Sequence, residues 1–203
     1  MTRDTIIANV QARMSDIIPS SQTEVVSYPF VDTLLDGAVE GFFLLVPLNL
    51  LPKTDIELPG SPRDMPSDEV IITRIAVPDT FIRLITFRCD GWNRAVNNVL
   101  SESSPQHYAQ IFKHTFGGNN RPQVTLVNDE LLGRAIEFYN YLGTTPTITA
   151  ASCVIKCDPT LIPNNIIYPY CYYVAYLAFD AMGEEVAAKA ALQHVQEFIE
   201  LNK

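Results

Sequence analysis

Histidine and cysteine, which often perform acid–base and nucleophilic chemistry, are few here: three histidines and four cysteines among 203 residues. His107 and His114 lie in one short polar segment, and His194 falls on the exposed side of the last predicted helix. A hydrolytic triad needs a nucleophile, a base and an orienting acid at one place, and no histidine adjoins a Gly-x-Ser-x-Gly turn or a cysteine of catalytic type. We therefore predict no catalytic residue and no enzymatic activity.

Motifs for cofactors are equally weak. Gly117-Gly118 lacks the following lysine and the strand–helix context of a phosphate-binding loop. Asp32, Asp36 and Glu40 recur every four residues and could form a carboxylate ladder for a metal ion, but the solvated polar face of a helix explains the same spacing. The sequence thus predicts no cofactor-binding and no metal-binding residue.

The cysteines do not have the spacing of a zinc ribbon; they are Cys89, Cys153, Cys157 and Cys171. Cys153 and Cys157 form a C-x3-C pair within a predicted strand. Residues four apart on a strand share a face but lie about 13 Å apart, too far for one metal ion or one disulfide. We predict that the thiols are reduced and bind no metal.

The charge balance restricts the classes of partner. The formal net charge is −9, and the 14 lysines and arginines are scattered without a run. Binding to phosphate backbones uses clustered basic side chains, so we do not expect a protein that reads a nucleic-acid sequence. An acidic chain is compatible with a surface past which DNA moves without sticking. The low charged fraction, 18%, fits either a surface covered by partners or a well-packed monomer.

Two segments are apolar enough to be considered as membrane spans. Gly41–Leu51 is only about a dozen residues long, too short to cross a bilayer. Ile166–Met182 contains Pro169, Asp180 and several tyrosines, a composition that suits a crowded protein core. The N-terminus begins directly with an amphipathic pattern and has no signal-peptide core. We expect no membrane association.

The elements that would position these side chains begin with two helices in residues 1–51. In the first, apolar residues recur at helical spacing up to Pro19, which is expected to end it: Ile7, Val10, Met14 and Ile17. The second has Pro29 in its first turn, Pro47 as an expected kink and Pro52 beyond its end. Its inward stripe comprises Val31, Leu34, Leu35, Ala38, Phe42, Leu45, Val46 and Asn49.

The C-terminal end of this second helix is the first candidate interface. Beyond Glu40 the polar face disappears, because Phe43, Leu44 and Leu48 make the helix apolar on all sides. Such an end must be covered by its own chain or by a neighbour. We therefore predict Phe43, Leu44 and Leu48 as interface residues.

The centre of the chain is expected to be rich in strands. Residues 52–68, with four prolines and one glycine, are typical of a linker, and residues 69–158 form the β-rich insertion. Pro78-Asp79-Thr80 should form a tight turn, residues 101–112 a short helix and residues 117–122 a loop. The predicted strands are Val70–Val77, Phe81–Cys89, Asn93–Leu100, Gln123–Asn128, Leu132–Tyr139 and Thr147–Lys156.

Residues 164–203 return to helical patterns. Asn164 or Asn165 would cap a helix over Ile166–Met182, and Gly183 would separate it from a last helix. The apolar stripe of that last helix comprises Ala188, Ala191, Leu192, Val195 and Ile199. The order of elements predicts an α+β fold in a single domain, with a helical bundle from the N- and C-terminal helices and a central antiparallel β-rich insertion.

Two residues of the insertion have predicted structural roles. Arg83 lies between Phe81 and Ile85 on a strand, so either its stem packs along the core with its head in water, or it forms a salt bridge to an acidic residue of a neighbouring subunit. Because of the second interpretation, Arg83 is a candidate interface residue. Trp92 follows Gly91 and is expected to anchor the strand's end in the core, with its indole N–H hydrogen-bonded.

Two segments carry a resemblance to a known family. The block V-P-D-T-F-I-R-L-I-T-F at Val77–Phe87, followed by Trp92, resembles a Pro-Asp-x-hydrophobic-x-Arg-Leu strand of the adaptor, or head–tail connector, proteins of tailed bacteriophages. The ending A-L-Q-H-V-Q-E-F-I-E resembles their alanine-containing terminal helix. In that family, N-terminal helices pack with C-terminal helices around a strand-rich insertion. The corresponding parts here are residues 4–51, 164–201 and 69–158.

The resemblance implies a structural protein of the virion that is assembled in the host cytoplasm. It would form a homo-oligomeric ring, commonly a dodecamer, below the portal, joining the capsid to the tail. Its partners would be the portal protein and tail or neck proteins, and DNA would pass through the ring without sequence-specific binding.

Two alternatives stay open. The proline-rich linker and the cysteines are not hallmarks of the family, so the chain could be another ring protein of the virion neck or tail. A monomeric ligand-binding module is the other alternative, because the tyrosine-rich helix over Ile166–Met182 could form the wall of a pocket.

Overall fold

The computed structural model describes residues 1–18, 27–55, 63–66, 71–110, 121–140 and 147–203. The chain divides into two compact units, which we call the helical unit (Met1–Pro52 and Lys156–Lys203) and the strand unit (Lys53–Ile155). Terminal helices on either side of a strand-rich centre confirm the predicted α+β class. That the chain is a single domain stays a prediction.

Five α-helices and eight strands occur among the described residues. In chain order they are α1 (Arg3–Ile17), α2 (Tyr28–Leu45), β1 (Thr54–Asp55), β2 (Arg63–Pro66), β3 (Ile71–Ala76), β4 (Phe81–Cys89), β5 (Val99–Ser101), α3 (Pro105–Ala109), β6 (Val124–Asp129), β7 (Gly133–Asn140), β8 (Ile148–Ile155), α4 (Ile167–Ala181) and α5 (Glu185–Leu201). The helical unit contains α1, α2, α4 and α5, and the strand unit contains the other elements.

The first two helices begin and end largely as their sequence dictates. The Thr2 hydroxyl caps α1 by accepting a hydrogen bond from the Thr5 N–H, and Pro29 lies in the first turn of α2. The predicted kink at Pro47 is wrong, because α2 ends at Leu45 instead. Proline has no N–H to donate and disfavours a helical conformation in the residue before it, so this helix stops rather than bends.

The central element of the helical unit is α4, which packs against α1, α2 and α5. The Tyr170 hydroxyl, buried in this unit, donates a hydrogen bond to the Leu35 carbonyl oxygen at 2.6 Å. The predicted asparagine cap is wrong, since Ile166 is the N-cap residue and no side chain caps the helix. Gly183, with φ of +78°, separates α4 from α5 as predicted, because glycine adopts this backbone conformation without steric cost.

The described strands of the strand unit form two sheets. One is antiparallel with the order β1-β8-β4, and the other has the order β2-β3-β7-β6-β5, antiparallel except for the parallel pair β5–β6. Residues of both sheets form one buried apolar core: Ile75, Val77, Phe81, Leu84, Phe87, Cys89, Trp92, Val124, Ile136, Phe138 and Cys153. The predicted strand Phe81–Cys89 is confirmed at both ends by β4.

Several predictions in the strand unit need correction. The Phe81 N–H donates to the Pro78 carbonyl oxygen at 2.9 Å, so the predicted turn exists, but it joins β3 and β4, which lie in different sheets. Residues 52–68 are not simply a linker, because β1 pairs with β8 and β2 pairs with β3. Within 93–100 the strand is limited to β5 and a bridge from Val96 to Phe87. Pro19, His114 and the Gly117-Gly118 loop lie outside the described residues.

Candidate functional site

The densest cluster of polar chemistry lies on one face of the five-stranded sheet. Along β7, Ile136 and Phe138 belong to the apolar core, while Glu137 and Tyr139 alternate with them and point to the other face. The sheet register places Glu137 opposite Arg74 of β3 and opposite Thr125 of β6. The register thereby brings together the carboxylates of Asp129 and Glu137, the guanidinium group of Arg74 and the hydroxyl of Thr125.

Arg74 joins two buried carboxylates. Its Nε donates to Glu137 Oε2 at 2.7 Å and its Nη1 donates to Asp129 Oδ2 at 2.9 Å. The side chains of Asp129 and Glu137 are 0% and 3% exposed. Desolvation acts to lower the pKa of Arg74, but the hydrogen bonds to Asp129 and Glu137 outweigh it and raise that pKa. The guanidinium is therefore a permanent cation that ties β3 to β6 and β7.

The remaining oxygens of the two carboxylates also have partners. Glu137 Oε1 accepts from the Tyr139 hydroxyl at 2.9 Å, and Asp129 Oδ1 accepts from the N–H groups of Leu131 and Leu132 at 2.8 and 3.0 Å. Buried carboxylates that are paired and fully hydrogen-bonded are typical of a structural network. Each of the four carboxylate oxygens therefore accepts at least one hydrogen bond.

His107 of α3 completes an arrangement that has the composition of a catalytic triad. Its Nδ1 lies 3.0 Å from Thr125 Oγ1, and its Nε2 lies 3.6 Å from Glu137 Oε1. A nucleophilic hydroxyl must be reachable by its substrate, but Thr125 is completely buried. The arrangement therefore fixes α3 onto the sheet and provides no accessible nucleophile.

The sequence contained a partial signal for this network. Thr125 and Glu137 each stand between two apolar residues and Arg74 precedes Ile75, so period-two alternation places each of them on the opposite face of its strand from these apolar neighbours. Nothing in the sequence indicates that β6 and β7 bring Thr125 and Glu137 beneath His107. Register between strands is set by tertiary packing and is not visible in one strand alone.

The cysteines are poor nucleophiles. Burial is the main cause that raises the pKa of Cys89 and of Cys171 to about 12 and that of Cys153 to about 11, so the reactive thiolate is scarce near neutral pH. Cys157 lies beyond the end of β8, so the prediction that it shares a strand with Cys153 is wrong. All four cysteines are free, and the described part of the chain contains no group of three potential metal ligands.

An apolar groove lies on the surface of the helical unit, between the end of α2 and the helices α4 and α5. Its volume is about 290 Å³, and its described lining residues are Leu45, Tyr173, Tyr176, Leu192, Val195, Gln196 and Ile199. Leu44 and Leu45 beside it are 52% and 45% exposed. None of the described lining residues is charged, and only Gln196 and the two tyrosine hydroxyls are polar.

The predicted interface residues at the end of α2 have different environments. Leu44 is exposed and Leu48 is half-buried, but Phe43 is 0% exposed. Phe43 offers no surface to a partner because α2 buries two adjacent rows of residues, and Val39, one turn earlier, is also fully buried. The stripe derived from the sequence contained only one of these rows.

Arg83 is half-buried on β4, between the buried residues Ile82 and Leu84. Desolvation lowers its pKa. The ladder to β8 is irregular between Phe81 and Arg83, so simple alternation does not describe this part of the strand. Arg83 lines a small cavity with Asn97 and Asn98.

The expected role of Trp92 is confirmed in part. The side chain is buried, and its ring packs against Phe87 and Phe138 with centroids 5.7 and 5.9 Å away. The predicted hydrogen bond is wrong, because the indole N–H has no partner among the described residues. Packing against aromatic rings therefore accounts for the burial of Trp92.

No helix in the described ranges is long and apolar enough to cross a membrane. Comparison of the sequence with protein-family models and with curated proteins finds no match.

Proposed function

We propose that the chain is a structural subunit of the head–tail connector of a tailed bacteriophage. It forms a homo-oligomeric ring, commonly a dodecamer, below the portal and joins the capsid to the tail. The V-P-D-T-F-I-R-L-I block supports this proposal, since it forms a turn and the edge strand β4 with Trp92 packed in the core beyond its end. Helices from both termini around a strand-rich centre are the arrangement that the resemblance implies.

The observation that carries the proposal is the apolar groove in an otherwise acidic helical unit. This unit contains 5 lysines and arginines against 12 aspartates and glutamates, a formal net charge of −7. Leu45 in the lining of the groove is exposed, Tyr173 and Tyr176 are half-buried, and no described lining residue is charged. An exposed apolar patch bordered by polar surface is typical of a protein–protein contact. In the proposed ring it is covered by a neighbouring subunit.

The remaining partners follow from the same proposal. The portal protein lies on one side of the ring and tail or neck proteins lie on the other, in a virion that is assembled in the host cytoplasm. DNA passes through without sequence-specific binding, because a chain of net charge −9 repels phosphate backbones. Catalysis is not part of the function, and the buried Thr125 and the fully bonded Glu137 support this view.

The test is a pair of matched substitutions in the helical unit. Leu45→Glu places a carboxylate in the apolar groove, whereas Val186→Glu adds the same charge at an 86% exposed residue of α5 that does not line the groove. We expect electron microscopy of wild-type protein with portal protein to show rotationally repeated copies. Leu45→Glu should reduce their number at least about tenfold, since burying an unpaired charge costs well over 1.4 kcal/mol.

Val186→Glu is the control and should assemble like the wild type. Both variants should keep the melting temperature of the wild type, because both positions carry exposed side chains. Equal assembly of the two variants would remove the apolar groove from the interface. Free monomers of the wild type in the presence of portal protein would contradict the ring itself.

A monomeric ligand-binding module is the second candidate, and one observation favours it. Tyr173 and Tyr176 line the groove, as expected if the tyrosine-rich helix formed a pocket wall. The volume of about 290 Å³ is at the lower end of small-molecule sites, which typically measure about 300–1,000 Å³. Another ring protein of the neck or tail would assemble in the same way but without portal protein, so the mass measured with and without portal separates the three functions.

A further inference from the structure

The apolar groove of the helical unit needs a partner surface that differs from itself. A closed ring of more than two identical copies is built from heterologous contacts, in which one patch of a subunit meets a different patch of the next. If the apolar groove is the first patch, the second must be apolar, exposed and located elsewhere on the chain.

Charge favours the strand unit as the place of this second patch. The strand unit contains 9 lysines and arginines against 11 aspartates and glutamates, a formal net charge of −2, whereas the helical unit carries −7. Contact between two helical units would bring the more acidic surfaces together, which costs electrostatic free energy. Contact of a helical unit with the strand unit of a neighbouring copy reduces this repulsion.

In the described part of the strand unit, two large apolar or aromatic side chains are exposed, Tyr108 at 59% and Leu131 at 77%. Tyr108 carries a polar hydroxyl, and its ring lies edge-on to His107 with centroids 5.5 Å apart. Leu131 is aliphatic throughout and lies in the middle of the turn that joins β6, which ends at Asp129, to β7, which begins at Gly133. Leu131 is therefore the better complement to an apolar groove.

The turn that carries Leu131 is fixed by hydrogen bonds. Asp129 Oδ1 accepts the N–H groups of Leu131 and Leu132 at 2.8 and 3.0 Å, and Asp129 Oδ2 accepts from Arg74 at 2.9 Å. Gly133 adopts a φ of +70° at the end of the turn, a conformation that glycine reaches without steric cost. Because the backbone of the turn is already ordered, binding of Leu131 costs little conformational entropy.

The apolar groove has room for this side chain. Its volume is about 290 Å³. An apolar cavity of about 150 Å³ accommodates benzene, which is similar in size to a leucine side chain. The groove can therefore enclose Leu131 together with part of the half-buried Leu132.

From these observations we infer that Leu131 of one subunit inserts into the apolar groove of the next subunit. Its side chain packs against Leu45, Tyr173 and Tyr176 of the neighbouring subunit, and the same contact repeats around the ring. The contact rests on the proposed ring and identifies the segment of the neighbouring subunit that covers the groove.

Leu131→Glu and Leu161→Glu form a matched pair of substitutions. The two leucines are 77% and 69% exposed, and each lies in a turn where an aspartate side chain accepts a backbone N–H, but Leu161 belongs to the helical unit. Electron microscopy with portal protein should show at least about tenfold fewer rings for Leu131→Glu, because an unpaired charge would be buried. Leu161→Glu should form rings like the wild type. Thermal melts check that both variants are folded.

A pair of opposite charges tests whether Leu131 meets the groove directly. Leu45→Lys alone should also reduce the number of rings at least about tenfold, because it places an unpaired ammonium group in the groove. In a chain that carries both Leu131→Glu and Leu45→Lys, the new carboxylate of one subunit faces the new ammonium group of the next. Rings of this double variant should be at least about fivefold more numerous than rings of either single variant.

Disulfide cross-linking locates the contact. Copies with Leu131→Cys are mixed with mass-labelled copies that carry Gln196→Cys, since Gln196 lines the groove and is exposed. Mass spectrometry of the assembled and oxidised mixture should identify a disulfide between the two introduced cysteines. Leu161→Cys in place of Leu131→Cys is the control and should give no such disulfide.

The outcomes separate this contact from the ring itself. Normal ring formation by Leu131→Glu, equal loss of rings in Leu131→Glu and Leu161→Glu, lack of rescue in the double variant or absence of the expected disulfide would each overturn the contact and leave the proposed function standing. A cross-link from Gln196→Cys to portal protein would assign the groove to the portal and exclude Leu131 from it. Absence of wild-type rings in the presence of portal protein would overturn both proposals.

Discussion

The helical unit and the strand unit hold their charged side chains in different places. In the helical unit, Arg3 pairs with Asp32 and Asp36, whose side chains are 39% and 59% exposed. In the strand unit, the two carboxylates that bind Arg74 are almost completely buried. An exposed ion pair contributes little to stability. Removing one partner of a buried ion pair, in contrast, strongly destabilises the fold.

The contrast extends to the apolar cores. Burial of aliphatic and aromatic residues stabilises the helical unit, with Phe42 and Tyr170 in edge-to-face contact at 5.5 Å. The strand unit has an aromatic core on one face of its five-stranded sheet and the Arg74 network on the other. We infer that the helical unit tolerates changes of charge, while the strand unit depends on both apolar packing and buried charge.

The largest expected effect on stability comes from removing one aromatic side chain from the core of each unit. Trp92→Ala and Phe42→Ala each remove a fully packed aromatic ring, which costs roughly 3–5 kcal/mol through lost transfer energy and a residual cavity. Because the ring contacts of Trp92 lie in the strand unit and those of Phe42 in the helical unit, each substitution should lower protection in its own unit.

Hydrogen exchange monitored by mass spectrometry provides the measurement, since it resolves protection segment by segment. The two variants are controls for each other because the removed groups are similar. Equal loss of protection in both units from either substitution would show that the units unfold as one cooperative body.

The next prediction concerns charge. Glu137→Gln removes one of the two buried carboxylates that neutralise Arg74 and is expected to cost about 3 kcal/mol, because it leaves the half-buried guanidinium partly uncompensated. Asp36→Asn makes the same chemical change at an exposed pair and should cost less than about 1 kcal/mol. Urea denaturation of both variants measures the two free energies of unfolding. Similar losses at the two positions would contradict the contrast between buried and exposed pairs.

Much of the local structure could be predicted because it depends on short-range features of the sequence. β4 has apolar β-branched and aromatic residues between two turn signals, so both of its ends follow from the sequence. Gly183 likewise separates α4 from α5, as its conformational freedom indicates. The α+β class follows from the order of such segments.

The pairing of the elements could not be predicted. β3 and β4 follow each other in sequence but lie in different sheets, and Arg74 meets Glu137 across 63 positions of the chain. Only the register of β3, β6 and β7 brings those charges together, and register is a property of the packed sheets. The burial of Phe43 was missed for a similar reason, because two partner helices contact α2 and a single-stripe pattern describes only one of them.

The smallest expected effect uses two glycines of α2 that are one helical turn apart. A Cβ added at Gly37 meets no atom within 4 Å, whereas a Cβ added at Gly41 would overlap the hydroxyl of Tyr173 on α4. Alanine is favoured over glycine in a helix by about 0.8–1.0 kcal/mol. Gly37→Ala should therefore stabilise the helical unit by about that amount.

Gly41→Ala gains the same helical propensity but must displace the Tyr173 ring, which lines the apolar groove. Rotation of a side chain away from its preferred rotamer costs about 0.5–1.5 kcal/mol, so the two terms should nearly cancel and the melting temperature should change little. If a neighbouring subunit covers the groove, the displaced ring will weaken ring assembly in Gly41→Ala and leave Gly37→Ala unaffected. Thermal melts and sedimentation of the two variants measure both effects. Stabilisation by Gly41→Ala as large as that by Gly37→Ala would mean that Tyr173 moves at no cost, and unchanged assembly would then argue against Tyr173 as part of the interface.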